Sequence, residues 1–169
     1  MATYKGIKGF KVQSLAADPV ASAAWTAGGA MNTGRRYGAG LGTSTAAWAG
    51  GGADDPGGFS NKGEEYNGTA WTEVNNTPTD TANHFTAGTQ ADAHSSHSNG
   101  VTFGYDGTNW STRPTMGTAR YALGSIGNAA VTTGGAIAIG GTPGDPGKVN
   151  AEEFIGATTA VTASVIDFD

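Results

Sequence analysis

Apolar positions along this chain recur in short bursts of a few residues broken by Gly, Asn, Asp and Pro, and no segment sustains an apolar period of 3.6. That pattern predicts many short strands and little helix. One phrase is written twice: Tyr66-Asn67-Gly68-Thr69-Ala70-Trp71 and Tyr105-Asp106-Gly107-Thr108-Asn109-Trp110. In each copy an aromatic enters a polar turn and a Trp leaves it. Asn-Gly and Asp-Gly favour the positive φ angles of a type I′ turn. Each copy therefore predicts a β-hairpin with the two aromatics paired across the ladder. A recurring hairpin predicts a repeat architecture, which works through surface and assembly more often than through one pocket.

The wider text repeats as well. Trp25, Trp71 and Trp110 lie 46 and 39 residues apart and open three related stretches. Each is followed by a Thr-x-Arg or Thr-x-Asn step: Thr33-Gly34-Arg35, Thr81-Ala82-Asn83 and Thr118-Ala119-Arg120. Met31 and Met116 stand four residues before Arg35 and Arg120. Small-residue strand pairs come next, over 39–48, 87–93 and 123–131. A Gly-Gly step (Gly50-Gly51, Gly140-Gly141), a Pro/Gly loop and a Glu-Glu-aromatic strand (Glu64-Glu65-Tyr66, Glu152-Glu153-Phe154) complete the first and third stretches. The middle stretch carries a polar loop, Asp92 to Asn99, in place of the Gly-Gly step and resumes at Val101. Three units of about 25–70, 71–109 and 110–169, with four strand signals each, match the propeller-blade class of repeats.

Composition sharpens this picture. Gly, Ala and Thr number 29, 28 and 23, whereas Leu, Ile, Val and Phe together number only 23 of 169 residues. Charged residues make up 14% and the net charge is −5, too little self-repulsion to drive disorder. The expectation is thin strands of small residues packed closely, with aromatics supplying the bulk and burial between subunits completing the core. Residues 1–24 differ: Lys5, Lys8 and Lys11 alternate with Ile7, Phe10, Val12 and Leu15, which predicts an extended docking arm ahead of a β-repeat domain over 25–169. The start lacks the apolar stretch of a secretory signal, and no run is long enough for a membrane helix, so a cytosolic origin and no membrane insertion are expected. The acidic balance disfavours nucleic acid as a partner. There is no cysteine, hence no disulfide and no thiolate metal site.

The order Thr-x-Arg, Ala-rich strand, Gly-Gly, Glu-Glu-Tyr and Tyr-x-Gly-Thr-x-Trp resembles kelch-like repeats, and in particular those of virion structural proteins of marine tailed bacteriophages. The opening, Met1 to Pro19, looks like the start of those proteins. The resemblance implies a capsid decoration, fibre or tail-surface component, assembled in the host cytoplasm and carried on the virion. Its arm would dock on other virion proteins. A closed ring of such sheets has 4–8 blades, so the expected fold is all-β, about three kelch-like sheets completed by homo-oligomerisation. A carbohydrate-binding module for host adhesion, with aromatics stacking on sugar, is the alternative.

No motif predicts an enzyme or a cofactor. His94, His97 and Asp92 have metal-ligand chemistry but read best as a polar loop, and no metal is expected. Ser95, Ser96, His94 and Asp92 hold the ingredients of a nucleophilic triad, yet neighbours on one loop do not converge. Asp54-Asp55-Pro56 and Asp145-Pro146-Gly147 lack the alternating acidic spacing of a calcium loop. Adjacent Glu residues of a strand point to opposite faces, so one Glu of each pair is expected to turn inward onto Arg35 or Arg120. The residues assigned structural roles are Tyr66, Trp71, Tyr105, Trp110, Arg35 and Arg120. A buried Trp71 would cost about 3–5 kcal/mol on truncation to Ala.

Overall fold

The computed structural model describes residues 23–54, 57–82, 84–127, 135–142 and 149–156, and these are all-β. Most of the expected arm lies outside them. The first sheet is an antiparallel meander of β2 (Ala39–Thr43), β3 (Ala46–Gly50), β5 (Gly63–Tyr66) and β6 (Trp71–Val74). A two-stranded ribbon, β1 (Arg35–Arg36) with β4 (Ala53–Asp54), sits at its end. The second meander is β7 (Thr86–Thr89), β8 (Asp92–Ser96), β9 (Thr102–Tyr105) and β10 (Trp110–Arg113). The third has three described strands, β11 (Gly124–Ile126), β12 (Ala136–Ile139) and β13 (Ala151–Phe154).

The first two sheets thus begin with the small-residue pair and end with the strand that a Trp opens. The sequence units are offset from the sheets by one strand, because the Tyr66–Trp71 hairpin binds β6 to β5 rather than to the second sheet. Cross-strand register equates Ala47, Ala93 and Ala136, and with them Trp48, His94 and Ile137. The Asp92–Asn99 segment is accordingly no loop at its start: β8 runs through Asp92 to Ser96, held by β7 and β9 on either side.

Two further expectations are corrected. The matching glycine steps are Gly51-Gly52 and Gly140-Gly141, with φ of 60° and 90° against 65° and 91°. Gly50 belongs to β3, where any Cβ would strike the Trp48 ring. The hairpin turns are not type I′, since Gly68 and Gly107 are left-handed but Asn67 and Asp106 are not. Asn67 Oδ1 instead accepts the amides of Thr69 and Ala70, and Asp106 Oδ1 those of Thr108 and Asn109. The short polar side chain caps the loop while glycine alone supplies the positive φ.

The sheets pack by their innermost strands, with β7 lying between β2 and β11. Gly40, Thr86 and Ser125 share one register position across the three sheets. Thr86 Oγ1 donates to Gly40 O at 2.9 Å, and Ser125 Oγ donates to Thr86 O at 2.8 Å. A hydroxyl of the second sheet, and one of the third, therefore bonds the equivalent carbonyl of the sheet before it. Among the described residues the core is two seams. Between the first and second sheets lie Trp48, Ala93 and Tyr105, flanked by Leu41, Val74 and Trp110. Between the second and third lie Phe85, Ala87, Ala136 and Ala138, flanked by Met116, Leu123 and Phe154. Alanine at the centre of each seam is what lets sheets poor in large aliphatics approach closely.

Candidate functional site

The residues that recur in the sequence converge on two structures, a buried clasp and an aromatic seam. In the first sheet Arg35 and Glu64 are sealed, with side chains 6% and 0% exposed. Arg35 Nη2 donates to Glu64 Oε1 at 2.6 Å, while Nη1 donates to the carbonyls of Gly51 and Lys62. The Glu64 carboxylate also accepts the backbone amides of Asn32 and Thr33. The third sheet repeats the set partner for partner. Arg120 pairs with Glu152 and donates to Gly140 O and Asn150 O, and Glu152 accepts the amides of Gly117 and Thr118.

The clasp ties three things together: the linker entering a sheet, the glycine step leaving its second strand, and the carboxylate on its third. Burial pushes the Glu64 and Glu152 carboxyls up, but the amides at Asn32 and Gly117 and the paired guanidinium outweigh it, so both sit below the usual carboxylate value. The middle sheet has Phe103 at the register position of Glu64, and the Thr-x-Arg step of the other two stretches reads Thr81-Ala82-Asn83 in the sequence there. Both charges are replaced together, as the cost of burying one alone requires.

Tyr66 and Trp71 pair across the ladder with ring centroids 5.0 Å apart, and Tyr105 and Trp110 at 4.8 Å. The two pairs differ in surroundings. Tyr105 is buried and donates its hydroxyl to Glu65 of the first sheet at 2.8 Å, so the second Glu of that pair serves the seam. Burial, and then the bond to Glu65, hold the Tyr105 phenol above its usual value. Trp110 lies edge-on to Trp48 at 5.3 Å and donates Nε1 to Asn75 O. Trp71 is only half-buried. Truncating Trp71 to Ala is therefore expected to cost about 1–2 kcal/mol, read from urea unfolding, rather than the larger loss a buried indole implies.

Compared with protein-family models and with curated proteins, the chain matches none.

Sequence reasoning missed Trp48, which is wholly buried at the centre of the first seam. Its register counterpart His94 is also buried, between Phe85 at 5.8 Å and Phe154 at 4.6 Å. His97 faces its own loop, with Nδ1 accepting the Asn99 amide. The two imidazoles are thus used separately, and no group of three metal-ligating side chains converges among the described residues. Ser95 and Ser96 are buried, Ser96 Oγ accepting the Phe85 amide, and the triad geometry does not form. Asp54 meets Lys62 at 3.4 Å on the surface, while Asp55, Pro56 and 143–148 lie outside the described residues.

Burial holds the imidazoles of His84 and His94 down at about 4. Between that value and 6.5 the unfolded chain binds protons that the folded chain refuses, so stability falls as pH is lowered across this window. The loss is on the order of 2 kcal/mol per histidine at pH 5. Below about 4.5 the depressed carboxylates of the clasps add to it as they protonate. Urea unfolding at pH 7, 6 and 5 measures the drop, and His94→Phe should remove about half of it. An unchanged slope in that variant would exclude His94 as a source.

Proposed function

We propose that this chain is a non-enzymatic phage virion structural protein, a capsid decoration, fibre or tail-surface component. In this reading its kelch-like, propeller-blade sheets are completed by self-assembly and display their loops outward. One observation carries it: the buried charged and aromatic residues are spent on holding strands and sheets together. Arg35–Glu64, Arg120–Glu152, Tyr105–Glu65 and Trp48–Trp110 build frame and seam, and each is committed to a partner within the fold. The resemblance of residues 1–19 and of the repeats to marine phage virion proteins supports the placement on a particle, with the arm as the docking segment. Antibody raised against residues 25–169 should label purified virions of the encoding phage. Reactivity confined to host lysate, with clean particles, would contradict the assignment.

A second reading has its own observation. The rings of Phe59, 66% exposed, and Tyr121, 37% exposed, flank an open cavity of about 390 Å³ that also takes in Asp80, His97 and Ser98. Exposed rings beside hydrogen-bonding side chains suit a glycan, and this placement would make the displayed face a host-adhesion surface. Glycan binding that disappears in Phe59→Ala and Tyr121→Ala supports it, whereas retention by both variants removes it.

A further inference from the structure

The third sheet lacks its outermost strand among the described residues, and the missing piece has a defined shape. In the first seam Trp110, opening the outermost strand of the second sheet, packs on its own Tyr105 and on Trp48 of the first sheet. In the second seam Phe154 stands at the position of Tyr105, His94 at that of Trp48 and Pro114 at that of Asn75. Where the corresponding indole would lie there is a cavity of about 310 Å³, lined by Phe154, His94, Thr102 and Pro114 among others. Trp71 and Trp110 each follow the aromatic of the preceding strand by five residues, but five residues after Phe154 comes Thr159. The chain beyond β13 holds no indole at that spacing.

An indole of the right kind stands elsewhere. Trp25 is 104% exposed. It precedes Arg35 by ten residues, as Trp110 precedes Arg120, and a Met stands four residues before each Arg. The linkers after both make the same bonds: Asn32 and Thr33 to Glu64, Gly117 and Thr118 to Glu152. Residues 25–28 therefore hold the sequence position of an outermost strand but pair with no strand among the described residues, meeting the first sheet where Gly28 approaches the Tyr66 hydroxyl. Their own chain cannot supply such a strand by simple closure. The second sheet separates the first from the third, and a ring of three would fall short of the 4–8 blades that close.

We propose that residues 25–28 of one copy add as the fourth strand to β13 of a second copy. Trp25 then pairs with Phe154, fills the cavity beside His94 and completes the third sheet in trans. The register is set by the other sheets: Trp25 opposite Phe154, Thr26 opposite Glu153, Gly28 opposite Ala151. This rests on the reading that the chain assembles with itself. Addition of an extended segment to an open edge satisfies the backbone groups of β13 and removes the edge as an aggregation template. Because the donor and acceptor surfaces differ, the contact is head-to-tail and repeats until it closes. Two copies would present six sheets, within the range of closed rings.

The absence of native cysteine makes the test direct. Chains carrying Trp25→Cys and Phe154→Cys are purified separately under reduction, mixed and oxidised. A disulfide-linked pair of chains in the mixture, absent from either variant alone, is the expected result. No linked pair, or an internal bond within one chain carrying both changes, would overturn the proposal. Since those changes remove the aromatic pair, two measurements use intact seats. Trp25→Ala should raise the dissociation constant of the assembly about 100-fold, and it should abolish hydrogen-exchange protection along the outer edge of β13. Protection that survives Trp25→Ala but is lost on deleting 157–169 would assign the edge to the chain's own tail and overturn the exchange. A Trp25→Ala chain that keeps the native assembled mass overturns strand exchange while leaving self-assembly standing. A native chain that stays single overturns both.

Discussion

An Arg35→Asn chain is expected to lose about 3–5 kcal/mol of stability, because it leaves the wholly buried Glu64 carboxylate without its counter-charge. The backbone amides of Asn32 and Thr33 and the Asn32 side-chain amide still bond that carboxylate. The guanidinium also closes the carbonyls of Gly51 and Lys62, and these lose their donor together with the charge. The protein itself suggests the rescue. Its middle sheet has Phe103 at the Glu64 position, and the Thr-x-Arg step of the sequence reads Thr81-Ala82-Asn83 in that stretch. Adding Glu64→Phe to Arg35→Asn should therefore recover more than half of the loss, and urea unfolding of the two single variants and the double variant measures the coupling. Strictly additive losses would mean that the pair is not the unit described.

Trp48→Ala is expected to cost about 3–5 kcal/mol as well, as for any large aromatic removed from a packed interior. Its ring is inaccessible, meets Trp110 edge-on and backs Ala93 and Tyr105 across the seam. Gly50 and Gly63 lie against it so closely that a Cβ at either would press into the indole. With backbone on two sides, the cavity has few ways to collapse. The loss should therefore exceed that of Trp71→Ala measured under the same conditions. Equal losses for the two variants would show that the seam is not where the bulk is anchored.

The parts of the fold legible in the sequence are those the chain writes more than once. The Tyr-to-Trp hairpins and the inward turn of one Glu per pair onto Arg35 or Arg120 follow from position within a repeat, since a buried charge needs its partner in each copy. Trp48 is not legible because its counterparts are His94 and Ile137, so a search for recurring tryptophan passes over it. The glycine step slips by one because three glycines run together over 50–52, and only their φ angles distinguish the strand residue from the two at the bend. His94 sits in a run of Asp, Ser and His that disfavours strand on local grounds. The strands on either side and the Phe85–His94–Phe154 stack override that preference. Trp25 reads as the opening of a repeat, and the pattern holds there without a paired strand: the segment occupies the sequence place of an outermost strand and pairs with none among the described residues.

The edge of β13 that no described strand pairs, the cavity beside His94 and the exposed Trp25 underlie the proposal that this polypeptide is sealed by another copy of itself. Sedimentation equilibrium of the native chain at micromolar concentration tests it most directly. The account predicts a mass at least twice 16.8 kDa, and twice that value for the smallest closed ring. A stable, folded species of 16.8 kDa would contradict it.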